Sequence, residues 1–416
     1  MIEKIHTDFI KQQFAIMTNK HDLLILLNYC KGLIYGEKAK PFVLKQLNYY
    51  SFENKNKYIA FNIRKKSGAE RTIHAPVNGL KAIQKCLNLI LQTIYEPHKA
   101  ATGFVPNKSI VDNARIHSGS IYVYNIDLKD FFPSIEQARI WGRLQKPPFN
   151  LNKDNGRIQL ANIIAVLCCF EMEVERKNEQ TGEWEKVVKN VLPQGGATSP
   201  TITNIICERL DIRLSGVAKR FGLRYSRYAD DITFSSMHNT FIKDDKSIEK
   251  IFGSETTFTQ EIEKIINEQK FTIKSSKTRL QKQGFRQEVT GLVVNDKVNV
   301  KQRYIKQLRM WLYLWEKYGY EKASTYFSQQ YIADKGHTKK LPPVMQNVIA
   351  GKLEYLRMVK GLDNATYRKL KDRFKKLIDN TNNIDKTTKK NNIENILDLI
   401  FTEGLDKAME SFKIEN

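Results

Sequence analysis

The stretch Leu223-Arg-Tyr-Ser-Arg-Tyr-Ala-Asp-Asp-Ile-Thr-Phe-Ser-Ser236 decides how this chain is read. Aromatic and β-branched residues flank the adjacent carboxylates Asp230 and Asp231, which predicts a β-hairpin with both acids at its tip. Neighbouring acids repel unless a cation sits between them. A rigid turn holding both therefore suits a hard divalent ion with oxygen ligands, Mg²⁺ first. A solvated Asp-Asp turn is the plainer explanation of such a pair taken alone; here its company argues otherwise. Upstream, Ile121-Tyr-Val-Tyr-Asn-Ile-Asp127 reads as a strand ending in a third carboxylate. Between the two lies Leu192-Pro-Gln-Gly-Gly-Ala-Thr-Ser-Pro200, a Gly-rich turn opening onto an apolar stretch.

That order of strand-Asp, Leu-Pro-Gln-Gly turn and Tyr-Ala-Asp-Asp hairpin resembles the palm of reverse transcriptases. Asn113-Ala-Arg-Ile-His117 and Val289-Thr-Gly291 fit two signatures of retron reverse transcriptases, and narrow the resemblance to that lineage. The resemblance implies an α+β right-hand polymerase with fingers, an antiparallel palm sheet with helices, and a helical thumb. The corresponding boundaries are an N-terminal helical segment (1–50), fingers (51–120), palm (121–298, with a 171–191 hairpin insertion), thumb (299–378), and a polar linker with a terminal helix (379–416).

The resemblance also assigns roles. Asp127, Asp230 and Asp231 would hold two Mg²⁺ ions about 3.5–4 Å apart, the arrangement that phosphoryl transfer by polymerases requires. Phe132 would lie beneath the incoming sugar and exclude a 2′-hydroxyl, selecting deoxynucleotides; ordinary core packing is its alternative. Gln194 and Gly195 would meet the nascent base pair, with Gly-Gly letting backbone approach a nucleotide closely. Lys277 would donate a proton to the departing pyrophosphate, where a surface lysine is the plainer explanation. Asn113, His117, Val289, Thr290 and Gly291 would meet the cognate RNA, although buried structural bonds are the usual fate of an Asn and His on one helical face. Retron enzymes more often have Ala-Pro where this chain has Gly196-Ala197, a mild departure.

Bulk properties are consistent with this. The chain has 416 residues, enough for two or three subdomains with cores, and a formal charge of +23, which favours polyanionic partners. No apolar run of about 18 residues or more occurs, so no transmembrane helix is expected, and the cytosol is the default compartment. Cys30, Cys86, Cys168, Cys169 and Cys207 lack metal spacing and read as buried thiols.

Along the chain, residues 1–50 look helical. Tyr58–Arg64 and Arg71–Pro76 alternate like two strands of a hairpin that presents Arg64, Lys65, Lys66 and Arg71. Such cations suit a triphosphate. Helices are expected over 80–95, from an N-cap at Ser109, over 160–170, 203–214 and 262–271. Residues 273–280 look strand-like, and 289–300 like a hairpin turning at Asn295-Asp296. From 301 to 378 the pattern is helical. Arg303, Lys306, Arg309, Lys317 and Lys322 interleave there with Tyr304, Trp311, Tyr313 and Trp315, which suits gripping a duplex and stacking on bases.

The implied activity is RNA-templated DNA synthesis from dNTPs on the enzyme's own structured non-coding RNA. Priming from a guanosine 2′-hydroxyl would give a branched RNA–DNA product, with a separate effector protein in an anti-phage module. The rivals are another bacterial defence or group II-like reverse transcriptase, and a non-catalytic RNA-binding scaffold that keeps a palm.

Overall fold

The computed structural model describes residues 2–380 apart from 53–54, 65–67, 69, 155, 179, 240–247, 254 and 336–342. The chain divides into two units, Met1–Val298 and Asn299–Asn416.

The first unit opens with three helices, α1 (Lys4–Ile16), α2 (Lys20–Tyr35) and α3 (Leu44–Ser51). Their apolar stripes, including Ile10, Phe14, Leu23 and Leu27, join the main core. Strands β1 (Tyr58–Arg64) and β2 (Glu70–Pro76) pair antiparallel from Tyr58↔Pro76 to Arg64↔Glu70. Helix α4 (Asn78–Ile94) follows, burying Leu80, Ile83, Leu87 and Ile90 along one face as the 3.6-residue period requires. The short α5 (Ile110–Ile116) starts at a capping box: Ser109 Oγ accepts from Val111 N at 3.2 Å, and Asp112 accepts from Ser109 N at 2.8 Å. Such a cap is worth ~1 kcal/mol, which matters for a helix of two turns.

Strand β3 (Tyr122–Asp127) then enters the central sheet. After α6 (Gln137–Leu144) and α7 (Ile158–Cys168), β4 (Phe170–Lys177) and β5 (Trp184–Val191) form a separate two-stranded hairpin. Helix α8 (Ser199–Arg220) leads into β6 (Arg224–Tyr228) and β7 (Asp231–Ser236). The turn α9 (Ile248–Ile251) and helix α10 (Thr257–Glu268) precede β8 (Arg279–Lys282), β9 (Glu288–Val289) and β10 (Leu292–Val293). The central sheet has the order β6-β7-β3-β8 and is antiparallel throughout. Its apolar face carries Tyr225, Ile232 and Phe234, which join Leu210, Leu214, Phe258 and Ile262 of α8 and α10 in one core. Its other face bears Asn125, Asp127, Thr233 and Asp231, and its Ser226 and Ser235 are covered by α5.

Two local expectations are corrected. Residues 273–280 are not one strand: the chain makes a 3₁₀ turn at Ser275–Lys277 and pairs with β3 only from Arg279. Lys274 N bonds Asp127 O at 2.8 Å just before this turn, so the chain curls around the end of β3 instead of extending along it. The β9–β10 hairpin turns at Thr290-Gly291, not at Asn295-Asp296. A two-residue hairpin turn of type I′ needs positive φ at both positions, and Thr290 (+48°) and Gly291 (+81°) supply it. Asn295 instead braces the preceding loop, accepting from Gln287 N at 3.0 Å and donating to Phe285 O at 2.6 Å.

The second unit is helical: α11 (Gln302–Lys335), broken at Gly319, then α12 (Met345–Lys360) and a last helix over 365–380. Arg303, Lys306, Arg309, Lys317 and Lys322 are exposed, as the interleaved pattern requires. Trp311 and Trp315 correct the stacking expectation. Both are buried, Trp311 edge-on to Phe327 and Trp315 against Tyr320 and Phe374, so amphipathicity and not base stacking explains their spacing. Of the linker and terminal helix expected over 379–416, residues 379 and 380 end the last helix and the rest lie outside the described residues. All five cysteines are free and buried. Among the described residues no helix is long and apolar enough to cross a membrane.

Candidate active site

Asp127 closes β3 and Asp231 opens β7, and the two are register partners. Directly opposed residues in an antiparallel pair have Cβ atoms about 4.5–5.5 Å apart. Asp230 sits in the turn one residue earlier, its carbonyl accepting from Leu128 N at 3.2 Å. Ala229 beside it holds φ +56°, a left-handed conformation that costs a non-glycine residue ~1–2 kcal/mol.

The acids are short of positive charge. Burial, followed by the charges of Asp230 and Asp127, pushes the Asp231 carboxyl up to about 6 even though one side of it opens to solvent. Asp230 is raised too, by burial first and then by Asp127 among the opposing contributions. Lys277 Nζ donates to Asp127 Oδ2 at 2.7 Å. A cleft of about 510 Å³ is lined by Asp127, Asp231, Lys277, Arg279, Thr290 and Gly291 among others. Among the described residues no three His, Cys, Asp or Glu side chains are drawn together as a metal-holding group. The donor chemistry still fits a hard divalent cation, because Asp230 and Asp231 are oxygen donors whose mutual repulsion a cation would relieve.

The β1–β2 hairpin contributes a tied pair. Arg71 Nε donates to Gln194 Oε1 at 2.8 Å, and His74 N to Gln194 O at 3.0 Å. Arg64 is exposed at the end of β1 opposite Glu70. Lys65 and Lys66 lie outside the described residues. At Gly195 (φ +127°) an added Cβ would stand 2.5 Å from His74 O, so β2 itself accounts for the missing side chain and the expected nucleotide approach is not needed to explain it. Phe132 is half-buried, its ring 5.5 Å from Phe131 and 6.1 Å from Phe104, which in turn lies 6.4 Å from Tyr228. Phe132 thus joins an aromatic cluster that reaches Tyr228 of the β6–β7 hairpin.

Asn113 and His117 require a correction. Both are fully buried, so neither is at the surface to meet RNA. Asn113 Oδ1 accepts from Thr102 Oγ1 and Ser226 Oγ, each at 2.7 Å. His117 Nε2 and Nδ1 lie 2.7 Å from Ser226 Oγ and Ser235 Oγ. With Ser226 giving its single proton to Asn113, His117 donates from Nε2, and burial keeps the ring neutral, so that Nδ1 accepts from Ser235 Oγ. Burial, with Arg224 adding, pushes its pKa down to about 3. Val289 is also buried; Thr290 is half-buried, and Gly291 is exposed. The second signature touches the helix that carries the first, because Thr290 Oγ1 donates to Ile110 O at the start of α5 at 3.2 Å.

Sequence reasoning missed the residues behind the hairpin. Arg227 is fully buried and forms a two-pronged pair with Asp211 of α8 (2.8 and 2.7 Å). The signal was available: an Arg at the inward parity of β6, and an acid on the apolar stripe of α8. Thr102 and Gly103 were also missed. A Cβ at Gly103 would stand 2.6 Å from Ala229 N, so this loop presses directly on the turn that carries Asp230.

The comparisons agree with the motifs. The family described as Reverse transcriptase (RNA-dependent DNA polymerase) matches residues 63–304. Retron Mx162 reverse transcriptase of Myxococcus xanthus is 36% identical over 268 residues, 62% of this chain and 52% of its own length. Retron Mx65 reverse transcriptase of the same organism is 34% identical over 277 residues, 64% of this chain and 59% of its own. Retron Ec86 reverse transcriptase of Escherichia coli is 28% identical over 300 residues, 71% of this chain and 77% of its own. The chain therefore spans just over half the length of its Myxococcus relatives and more of the Escherichia coli one.

Proposed function

The chain belongs to the reverse transcriptase family, and from that premise we propose that it is an RNA-directed DNA polymerase of retron type. The carrying observation is Asp127 facing Asp231 across β3 and β7, with Asp230 adjacent and Lys277 on Asp127. Asp127, Asp230 and Asp231 would hold two Mg²⁺ ions, which when bound would supply activation of the attacking hydroxyl and neutralisation of the triphosphate. Arg71, oriented by Gln194, receives the triphosphate together with Arg64 and Lys65. Phe132 sets the preference for dNTPs. Lys277, a charged donor already in the cleft, protonates the leaving pyrophosphate.

The template in this reading is a cognate structured non-coding RNA, primed from a guanosine 2′-hydroxyl to give branched RNA-linked DNA. The setting is anti-phage defence with a separate effector protein. Thr290 and Gly291 supply the exposed part of the RNA-facing signature; Val289, Asn113 and His117 support it from within. The support for a retron-type template is the identity to three retron enzymes.

Primer extension by Asp230→Asn and Asp231→Asn, each checked for folding by circular dichroism, tests the polymerase reading. Loss of addition in folded protein is expected, and near wild-type extension by both would overturn it. Sequencing of copurified nucleic acid, with a debranching-enzyme digest, tests the template. A product insensitive to debranching would remove the 2′-primed step and leave a reverse transcriptase.

A further inference from the structure

The catalytic turn is clamped from two sides, and the clamp is not part of the cleft. Arg227 Nη1 donates to Ala229 O at 3.2 Å, while Gly103 presses on Ala229 N. The rest of the guanidinium is fixed: Nε and Nη2 grip both oxygens of Asp211, and Nη2 also reaches Asn204 Oδ1 at 3.1 Å. Asn204 and Asp211 lie two turns apart on α8, so one helix face presents both. Asn204 Nδ2 donates to Gly103 O at 3.0 Å, which ties the two sides of the clamp together. The backbone of Arg227 is held as well, its N on Ala100 O and its O by Thr102 N, both at 2.9 Å.

We propose that Arg227 is a positioning residue: anchored by Asp211 and Asn204, it fixes the carbonyl of Ala229 and so the direction in which Asp230 presents its carboxylate. Packing alone does not account for the arrangement. A buried ion pair can often be replaced by apolar side chains of similar volume without loss of stability, so stability gives no reason for this choice. Ala229, by contrast, sits at φ +56°, a conformation that persists only where neighbours over-determine it. Its carbonyl is the group Arg227 reaches, and Asp230 is the next residue. Lysine carries the charge but lacks the planar fork that serves Asp211 and Ala229 at once.

The inference rests on Asp230 being a metal ligand, and the experiment separates the two. Mn²⁺ is titrated into the full chain without nucleic acid, free ion being followed by its paramagnetic resonance, for wild type, Asp230→Asn and Arg227→Lys. In Arg227→Lys, affinity is expected to fall about tenfold, the lower end of what losing an outer partner of a ligand costs, with the melting temperature lowered by only a few degrees. Primer extension per active molecule, counted by burst amplitude, should fall with a raised metal requirement and little change in KM for dNTP. A structural role alone would lower the amplitude and leave the metal midpoint where it is. Should Arg227→Lys fail to fold, Asn204→Ala carries the test, since it loosens the same fork and keeps the charge. Wild-type Mn²⁺ affinity in whichever variant folds overturns the inference, provided Asp230→Asn has lost binding. If Asp230→Asn binds as wild type does, the carboxylate reading falls and the inference with it.

Discussion

Acid should loosen the hairpin that carries Asp230 and Asp231 through His117. The ring is fully buried as the neutral form, and its pKa is pushed from the ordinary 6.5 down to about 3. The unfolded chain therefore takes up a proton below 6.5 that the folded chain refuses until about 3. His117 contributes stability that is complete above the unfolded value and is lost as pH falls towards the folded one. The whole loss is about 5 kcal/mol, at 1.36 kcal/mol per tenfold change. Between pH 7.5 and pH 5 it is about 2 kcal/mol, a sizeable part of the ~5–15 kcal/mol typical of a domain. Asp230 and Asp231 act in the opposite sense, because their raised values make stability fall as pH rises above the usual carboxylate value, for Asp231 up to about 6. A comparison of two proteins cancels them. His117→Gln keeps an amide that can donate to one serine and accept from the other, and it does not titrate. Urea unfolding of both proteins at the two pH values should show the wild-type advantage shrinking by about 2 kcal/mol on acidification. Superimposable pH profiles would refute the reasoning, and would mean that the ring takes its proton without leaving its serines.

Three further outcomes follow from the geometry. Gly103→Ala places a Cβ 2.6 Å from Ala229 N, so extension should fall by about tenfold or more from displacement of the turn, and wild-type extension would show that the loop yields instead. Lys277→Gln should lower the single-turnover rate by about 10²–10⁴ if the ammonium is the general acid, with dNTP KM little changed; an unaltered rate makes it a surface lysine with no part in the step. Phe132→Ala should let ribonucleotides compete, read as the ratio of efficiencies for matched dNTP and rNTP, and an unchanged ratio in an active variant assigns the ring to the aromatic cluster alone.

Much of the architecture was legible because it is written in local patterns. The strand alternation around Asp127 and Asp231, the stripe of α4 and the cap at Ser109 each survive in the fold. What was not legible depends on which of two local options the tertiary structure selects. Asn295-Asp296 and Thr290-Gly291 are both plausible turns, and only pairing of Glu288 with Val293 chooses between them. Periodicity cannot distinguish a tryptophan that packs on Phe327 from one that waits for a base, so Trp311 misled. The same ambiguity placed Asn113 and His117 on the RNA. Their spacing showed a shared helical face, and whether that face looks outward or onto Ser226 and Ser235 is decided by a hairpin far away in sequence.

The contact of α5 with both the catalytic hairpin and the Thr290-Gly291 turn has a consequence for recombination among such polymerases. A crossover anywhere between His117 and Ser226 joins one parent's helix to the other's hairpin. One falling between Ser235 and Thr290 parts the helix from its turn. The heritable unit is thus three separated segments that interlock, Ser109–His117, Arg224–Ser236 and Glu288–Val293. Parents that agree at Asn113, His117, Ser226 and Ser235 can exchange the outer turn alone. Parents that differ there must trade the helix and hairpin segments together, or the hybrid is left with buried polar atoms that have lost their partners.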